Sequence, residues 1–428
     1  MNTEMELRSG RWVDDSYYKI HHPSGLTLCL FPQEGFHTTY AIFGTKYGSI
    51  DNCFQRKDED HPEQVPEGIA HYLEHKLFES EEGDAFSRYA QTGASANAFT
   101  SFETTCYLFS CTDHFYESLE ILLDFVQSPY FTEETVRKEQ GIIGQEIKMY
   151  DDDPQWRLMF NYLRSMYHAH PIRSDIAGTV DSIAKITPEH LYRCYNTFYN
   201  LGNMVLAVAG NFQVDKVREI CDRMLKPSPL LPVRRVFPEE PDSVVCSKVE
   251  EHLPVALPLF QFGFKEPVGQ TVRSEREVAA MEVLLETMAS EASPLYRRLL
   301  DEELINESSF SYEYFEGNGY ATIMFSGESR NPQAVAQALL QEAERFQKEG
   351  IPQEAFERSK RALYGDMVSS LNNMGSVANG LVNMTLRGRD LFTYMDCLAD
   401  VKPEDVADKL TRVFREEQSV LSTILPLQ

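Results

Sequence analysis

The segment HYLEH sets His71, Glu74 and His75 at a spacing that suits a metal ion and the water beside it. On a helix, positions i and i+4 differ by about 40° in direction and one turn in height. Both imidazoles then reach one cation on one side. Glu74 lies about 60° to the other side of His71. Its carboxylate faces the same space, where it can take a proton from water. With 11 histidines in the chain, about 0.03 such strings are expected by chance. The competing reading is a helix that merely carries polar residues on its surface. Against it, two neutral imidazoles and a carboxylate on a largely apolar helix are costly to bury without a partner.

A catalytic zinc site needs a third protein ligand and an open fourth position. Thr132 is a plausible N-cap for a long helix from Glu133 to about Tyr150. That helix carries Glu139 and Glu146, seven residues apart, so they lie within about 20° of each other and two turns apart. Glu146 is read as the third ligand. Glu139 is read as the carboxylate that orients a ligating imidazole. His168 and His170, in YHAHP, are two apart and followed by Pro171, so a loop role is expected. No GxSxG elbow and no phosphate loop occurs.

These residues need elements to hold them. A helix is expected over 67–79, a second over 84–91, and a hairpin over 93–111 with its turn near Ser101. Residues 115–127 have apolar positions at helical spacing. Residues 16–31 read as a turn and a strand, 39–47 and 203–212 as strands, and 48–67 as a polar loop. The segment 226–241 holds five prolines in sixteen residues, which disfavours regular structure and marks a linker.

The two halves are alike. Residues 131–150 align without gaps on 351–370, 67–75 match 277–285 in apolar pattern, and 106–111 correspond to 321–327. An internal duplication explains this. In the second copy the positions of His71, Glu74 and His75 hold Met281, Leu284 and Leu285, while Glu139 and Glu146 become Ser359 and Asp366. The fold therefore does not require the metal-type residues. The expected class is α+β, in two homologous lobes, each a mainly antiparallel sheet packed with helices. The expected division is 1–225 as the zinc-binding lobe, 226–241 as the linker, and 242–428 as a lobe without ligands.

Composition bounds the partners. Hydrophobic residues make 42% and charged residues 25% of the chain, as in a globular protein. The net charge of -26 argues against nucleic acid. It leaves open a solvated surface or an acidic chamber that draws cationic peptides. No apolar stretch approaches a membrane span, and MNTEMELRSGRW has no apolar targeting core. The eight cysteines lack CxxC spacing, so reduced thiols and a cytoplasmic location are expected.

HYLEHKLFE, followed by KEQGIIGQEIKMYDDDP, resembles the inverted-motif zinc peptidases, the family of pitrilysin, insulin-degrading enzyme and the mitochondrial processing peptidase. The likeness covers nearly the whole chain. It implies one zinc ion (Zn2+) per chain held by His71, His75 and Glu146, with Glu74 as general base and Glu139 in support. It also implies that GASANAFT forms a substrate-holding edge strand, with Asn97, Ala98 and Phe99 as binding residues. Active members carry an arginine and a tyrosine seven apart in the other lobe. Asp301 and Ser308 stand at the matching place here; Arg297 and Arg298 lie a turn earlier and Tyr312 a turn later. The implied protein is a zinc metalloendopeptidase subunit acting on short or unfolded peptides. A homologous half-length subunit would supply the Arg–Tyr pair, or a second copy would form a homodimer. The alternative is a non-catalytic peptide-binding subunit.

Overall fold

The computed structural model describes residues 4–81, 83–228, 230–267 and 272–427. Pro229 of the expected linker and the first three residues of the N-terminal segment lie outside the described residues. In chain order the main elements of the first half are β1 Glu4–Ser9, β2 Ser16–His21, β3 Thr27–Pro32, β4 Thr39–Thr45, α1 Ile69–Leu77, α2 Ala85–Thr92, β5 Ser95–Thr100, β6 Thr105–Cys111, α3 Phe115–Val126, α4 Glu133–Asp151, α5 Pro154–Met166 and β7 Met204–Gly210. The second half contains β8 Lys248–Leu253, β9 Leu259–Lys265, α6 Glu275–Ala289, β10 Ser311–Gly317, β11 Tyr320–Glu328, α7 Pro332–Glu349, α8 Gln353–Ser370, α9 Met374–Leu386 and β12 Ser419–Pro426.

The first sheet has the order β1-β2-β3-β7-β4-β6-β5, and the second β8-β12-β9-β11-β10. Only β3–β7 in the first and β8–β12 in the second are parallel; the other pairs in both sheets are antiparallel. The run β3-β7-β4-β6-β5 thus has the same order and pairing sense as the whole second sheet. The fold is α+β, built twice.

The chain forms two compact units. One contains Met1–Ile147, Asp175–Val236 and Val368–Thr393; the other contains Lys148–Ser174, Phe237–Met367 and Tyr394–Gln428. Each unit takes its sheet-covering helix from the neighbouring part of the sequence. In the first, α9 packs on β4 and β7; in the second, α5 packs on β9 and β12. Both approaches are close. A Cβ on Gly44 would come within 2.7 Å of Val382 on α9, and one on Gly263 within 2.5 Å of the Tyr162 hydroxyl on α5. The start of α5 follows from its sequence. Asp153 caps it by accepting from the Gln155 and Trp156 amides, and Pro154 opens its first turn.

The expected helices and the 93–111 hairpin occur within a few residues of their expected bounds. Two spans differ. Residues 16–31 form two paired strands, not a turn and one strand. The span 48–67 contains short paired strands, Cys53–Arg56 and Glu63–Gln64, and Val233–Arg235 of the proline-rich segment pairs with the first of them. Those three residues lie between prolines and keep their own amides. Arg235 is further held by Asp51 and by the Lys46 carbonyl, at 2.5 Å each. A partner some 180 residues away gives no local signal in either segment.

All eight cysteines are free. Among the described residues no helix is long and apolar enough to cross a membrane.

Candidate metal centre

Gly68 precedes α1 with a φ of 86°, and a Cβ there would lie 2.3 Å from the Ala177 carbonyl oxygen. Only glycine suits that left-handed, crowded turn, and it sets the direction in which α1 leaves. The helix is then fastened to α4 by polar side chains. The Tyr72 hydroxyl donates to the Val136 carbonyl. Lys76, fully buried, donates to the Thr135 carbonyl at 3.4 Å and pairs with Glu79. α4 is itself capped by Thr132, whose hydroxyl accepts from the Thr135 amide at 3.2 Å. Its buried stripe is Val136, Glu139, Ile143 and Ile147, so Glu139 is carried inward with the apolar face and Glu146 sits at its margin.

This docking brings His71, His75 and Glu146 together. One ligand atom from each lies within 4.8 Å of the others, and among the described residues no other group of three or more His, Cys, Asp or Glu side chains meets that condition. His71 Nε2 is 3.6 Å from one Glu146 oxygen, and His75 Nε2 is 3.4 Å from the other. The two imidazole rings stand edge to face with centroids 4.6 Å apart. Glu139, buried, accepts from His75 Nδ1 at 3.1 Å. That bond fixes the ring and leaves Nε2 facing Glu146. His71 Nδ1 is buried and has no hydrogen-bond partner among the described residues.

The electrostatics suit a cation. Burial works against a charged His75, yet its hydrogen bonds to Glu139 and Glu146 outweigh that and push its pKa up to about 10. A proton there does what a metal ion would do, placing positive charge among carboxylates. Two imidazole nitrogens and a carboxylate, with one imidazole oriented by a second carboxylate, form the donor set of a catalytic zinc site. The residues present fit the ion.

Glu74 points into the same region. It is 9% exposed. Burial raises its pKa above the ordinary carboxylate range, while His71 and a hydrogen bond from Thr100 pull it back. The Thr100 hydroxyl donates to Glu74 Oε2 at 2.8 Å. Thr100 was missed in the sequence, where a threonine at a strand end reads as ordinary strand composition. It ends β5, the edge strand that carries Asn97, Ala98 and Phe99. Strand alternation puts Ala98 on the face shared by Thr100, and Asn97 and Phe99 on the other. Asn97 Oδ1 accepts from the Ala98 amide at 2.9 Å.

In the second unit, Asp301 pairs with Arg297 at 3.2 Å, the Ser308 hydroxyl donates to Asn306, and the Tyr312 hydroxyl donates to Glu286 at 2.5 Å. His170 is buried. Its Nδ1 accepts from the Ile172 amide, and Nε2 lies 3.0 Å from the Asn318 carbonyl.

Known proteins resemble this chain along its whole length. It is 37% identical over 421 residues, 97% of each chain, to the uncharacterized zinc protease YmfH of Bacillus subtilis. The insulinase family profile, peptidase family M16, matches residues 61–180. The chain belongs to peptidase family M16. The family's profile described as the M16 inactive domain matches residues 185–363, which include Met281, Leu284, Leu285 and Ser359 of the second copy. An M16-like peptidase from Alicyclobacillus acidocaldarius superposes with a TM-score of 0.91 at 35% identity, covering 100% of this chain and 99% of that one. Pitrilysin shares the fold, with a TM-score of 0.77 at 14% identity, over 99% of this chain and 47% of its own.

Proposed function

We propose that the chain is the zinc-bearing subunit of a metalloendopeptidase that hydrolyses short or unfolded peptides. The observation that carries this is the convergence of His71, His75 and Glu146 on one point, with Glu74 buried beside it. His71, His75 and Glu146 would hold one zinc ion, and Glu139 would keep His75 in its ligating orientation. Zinc, when bound, lowers the pKa of a water molecule toward about 7 and polarises the scissile carbonyl. Glu74 would accept a proton from the attacking water and pass it to the leaving amine. Asn97, Ala98 and Phe99 lie on an edge strand, so a peptide adds to the sheet there as a further strand. A folded substrate cannot offer such backbone.

Completion of the site falls to a partner. Arg297, Arg298 and Tyr312 do not have the spacing of the family's Arg–Tyr pair, and Tyr312 donates to Glu286, so we assign them no such role. A homologous half-length subunit supplies it, or a second copy does. We place the protein in the cytoplasm on its cysteine usage. A non-catalytic peptide-binding role is favoured by that same missing pair, and turnover separates the two readings. Zinc-loaded protein with its partner is expected to cleave an unstructured peptide. Glu74→Gln is expected to lower kcat by about 10²–10⁴-fold. Undiminished turnover in Glu74→Gln rules out the mechanism. Peptide binding without cleavage by the wild-type pair favours the second role.

A further inference from the structure

We propose that Thr100 is a positioning residue for Glu74, tying the general base to the strand that receives substrate. The inference rests on the peptidase reading above. Among the described residues Thr100 is the only side chain that donates to Glu74, at 2.8 Å to Oε2. A hydroxyl has one proton to give. The other hydroxyl nearby, Thr105 Oγ1, lies 3.5 Å from Thr100 Oγ1 and donates to the Tyr47 carbonyl at 2.9 Å. The Thr105 proton is therefore spent on the backbone, and the Thr100 proton on the carboxylate.

The consequence is geometric. Holding Oε2 leaves Oε1 as the oxygen free to take a proton, and fixes where it points. A carboxylate on a three-torsion side chain otherwise samples several orientations, and general-base catalysis depends on hydrogen-bond reach to the attacked proton. Thr100 and Ala98 share one face of β5. A peptide laid along that edge and the base are thus referenced to the same strand. The Thr100–Glu74 hydrogen bond holds strand and base to one another, which would keep peptide register and proton acceptor matched.

Thr100 also has an ordinary role, as a strand residue of β-branched shape. Valine keeps that shape and removes only the hydroxyl. The experiment is steady-state kinetics of the zinc-loaded pair on an unstructured peptide for wild type, Thr100→Val and Thr100→Ser, with zinc content measured for each. The positioning role predicts that Thr100→Val loses kcat by about 10–100-fold, with KM within about twofold and zinc unchanged. Thr100→Ser recovers most of the rate. Full kcat in Thr100→Val, a loss confined to KM, or a serine variant as slow as the valine one overturns the proposal while the peptidase reading stands. A wild-type pair that turns over no peptide takes down both.

Discussion

α1 and α6 occupy corresponding places in two copies of one fold, and they are made of different chemistry. α6 buries Met281, Leu284 and Leu285, none more than 1% exposed. α1 has His71, Glu74 and His75 at those positions. At the positions aligned with buried Glu139 and half-buried Glu146 of α4, α8 carries buried Ser359 and exposed Asp366. The apolar version shows what the architecture needs from this helix, which is packing. The polar version costs desolvation that packing alone does not return. The difference confines the metal-type residues to the first copy, which is where we propose the site.

The comparison is sharpened most by Leu284→Ala. With Leu284 in a packing role, the substitution costs about 2–5 kcal/mol of stability and leaves zinc content unchanged. Denaturant unfolding with metal analysis checks this, and a loss of zinc breaks the contrast between the copies.

The histidines give a second contrast. His75 is pushed up to about 10, whereas burial pushes His170 down to about 4. His170 in the unfolded chain has its ordinary value near 6.5. Between these values the unfolded state binds the extra proton and the folded state does not. His170 therefore contributes stability above about pH 6.5, and this is lost as the pH falls toward 4. The full difference is at most about 3 kcal/mol. Thermal melts between pH 7 and 4.5 are expected to show this decline, and His170→Asn to flatten it. An unchanged slope in the variant assigns the loss to other groups.

Glu139→Gln has the smallest expected effect. It weakens the support of His75 without removing a ligand, so zinc affinity is expected to fall about 10–100-fold. Competition with a chelator measures it. Ser359→Ala, at the matching position, is expected to change nothing in zinc affinity.

Much of this contrast was legible in the sequence, because α1 announces itself by its HYLEH spacing and α4 by its Thr132 cap. The HYLEH spacing and the Glu139–Glu146 interval follow from helix geometry alone, and the apolar second copy supplied its own control. Thr100 was not legible. Its contact with Glu74 joins a strand end to a helix 26 residues earlier, and nothing in its neighbours marks it. Nor was the placement of α5 and α9 legible, since each packs on a sheet assembled mostly from the other half of the sequence. The strand Val233–Arg235 was hidden by the prolines around it.

The most direct measurement is the zinc content of the purified, chelator-treated and zinc-reloaded chain, in wild type and in His71→Ala. The account predicts one tightly held zinc per wild-type chain and none in His71→Ala, with both proteins folded. Zinc retained in full by His71→Ala, or refused by the folded wild type, contradicts it.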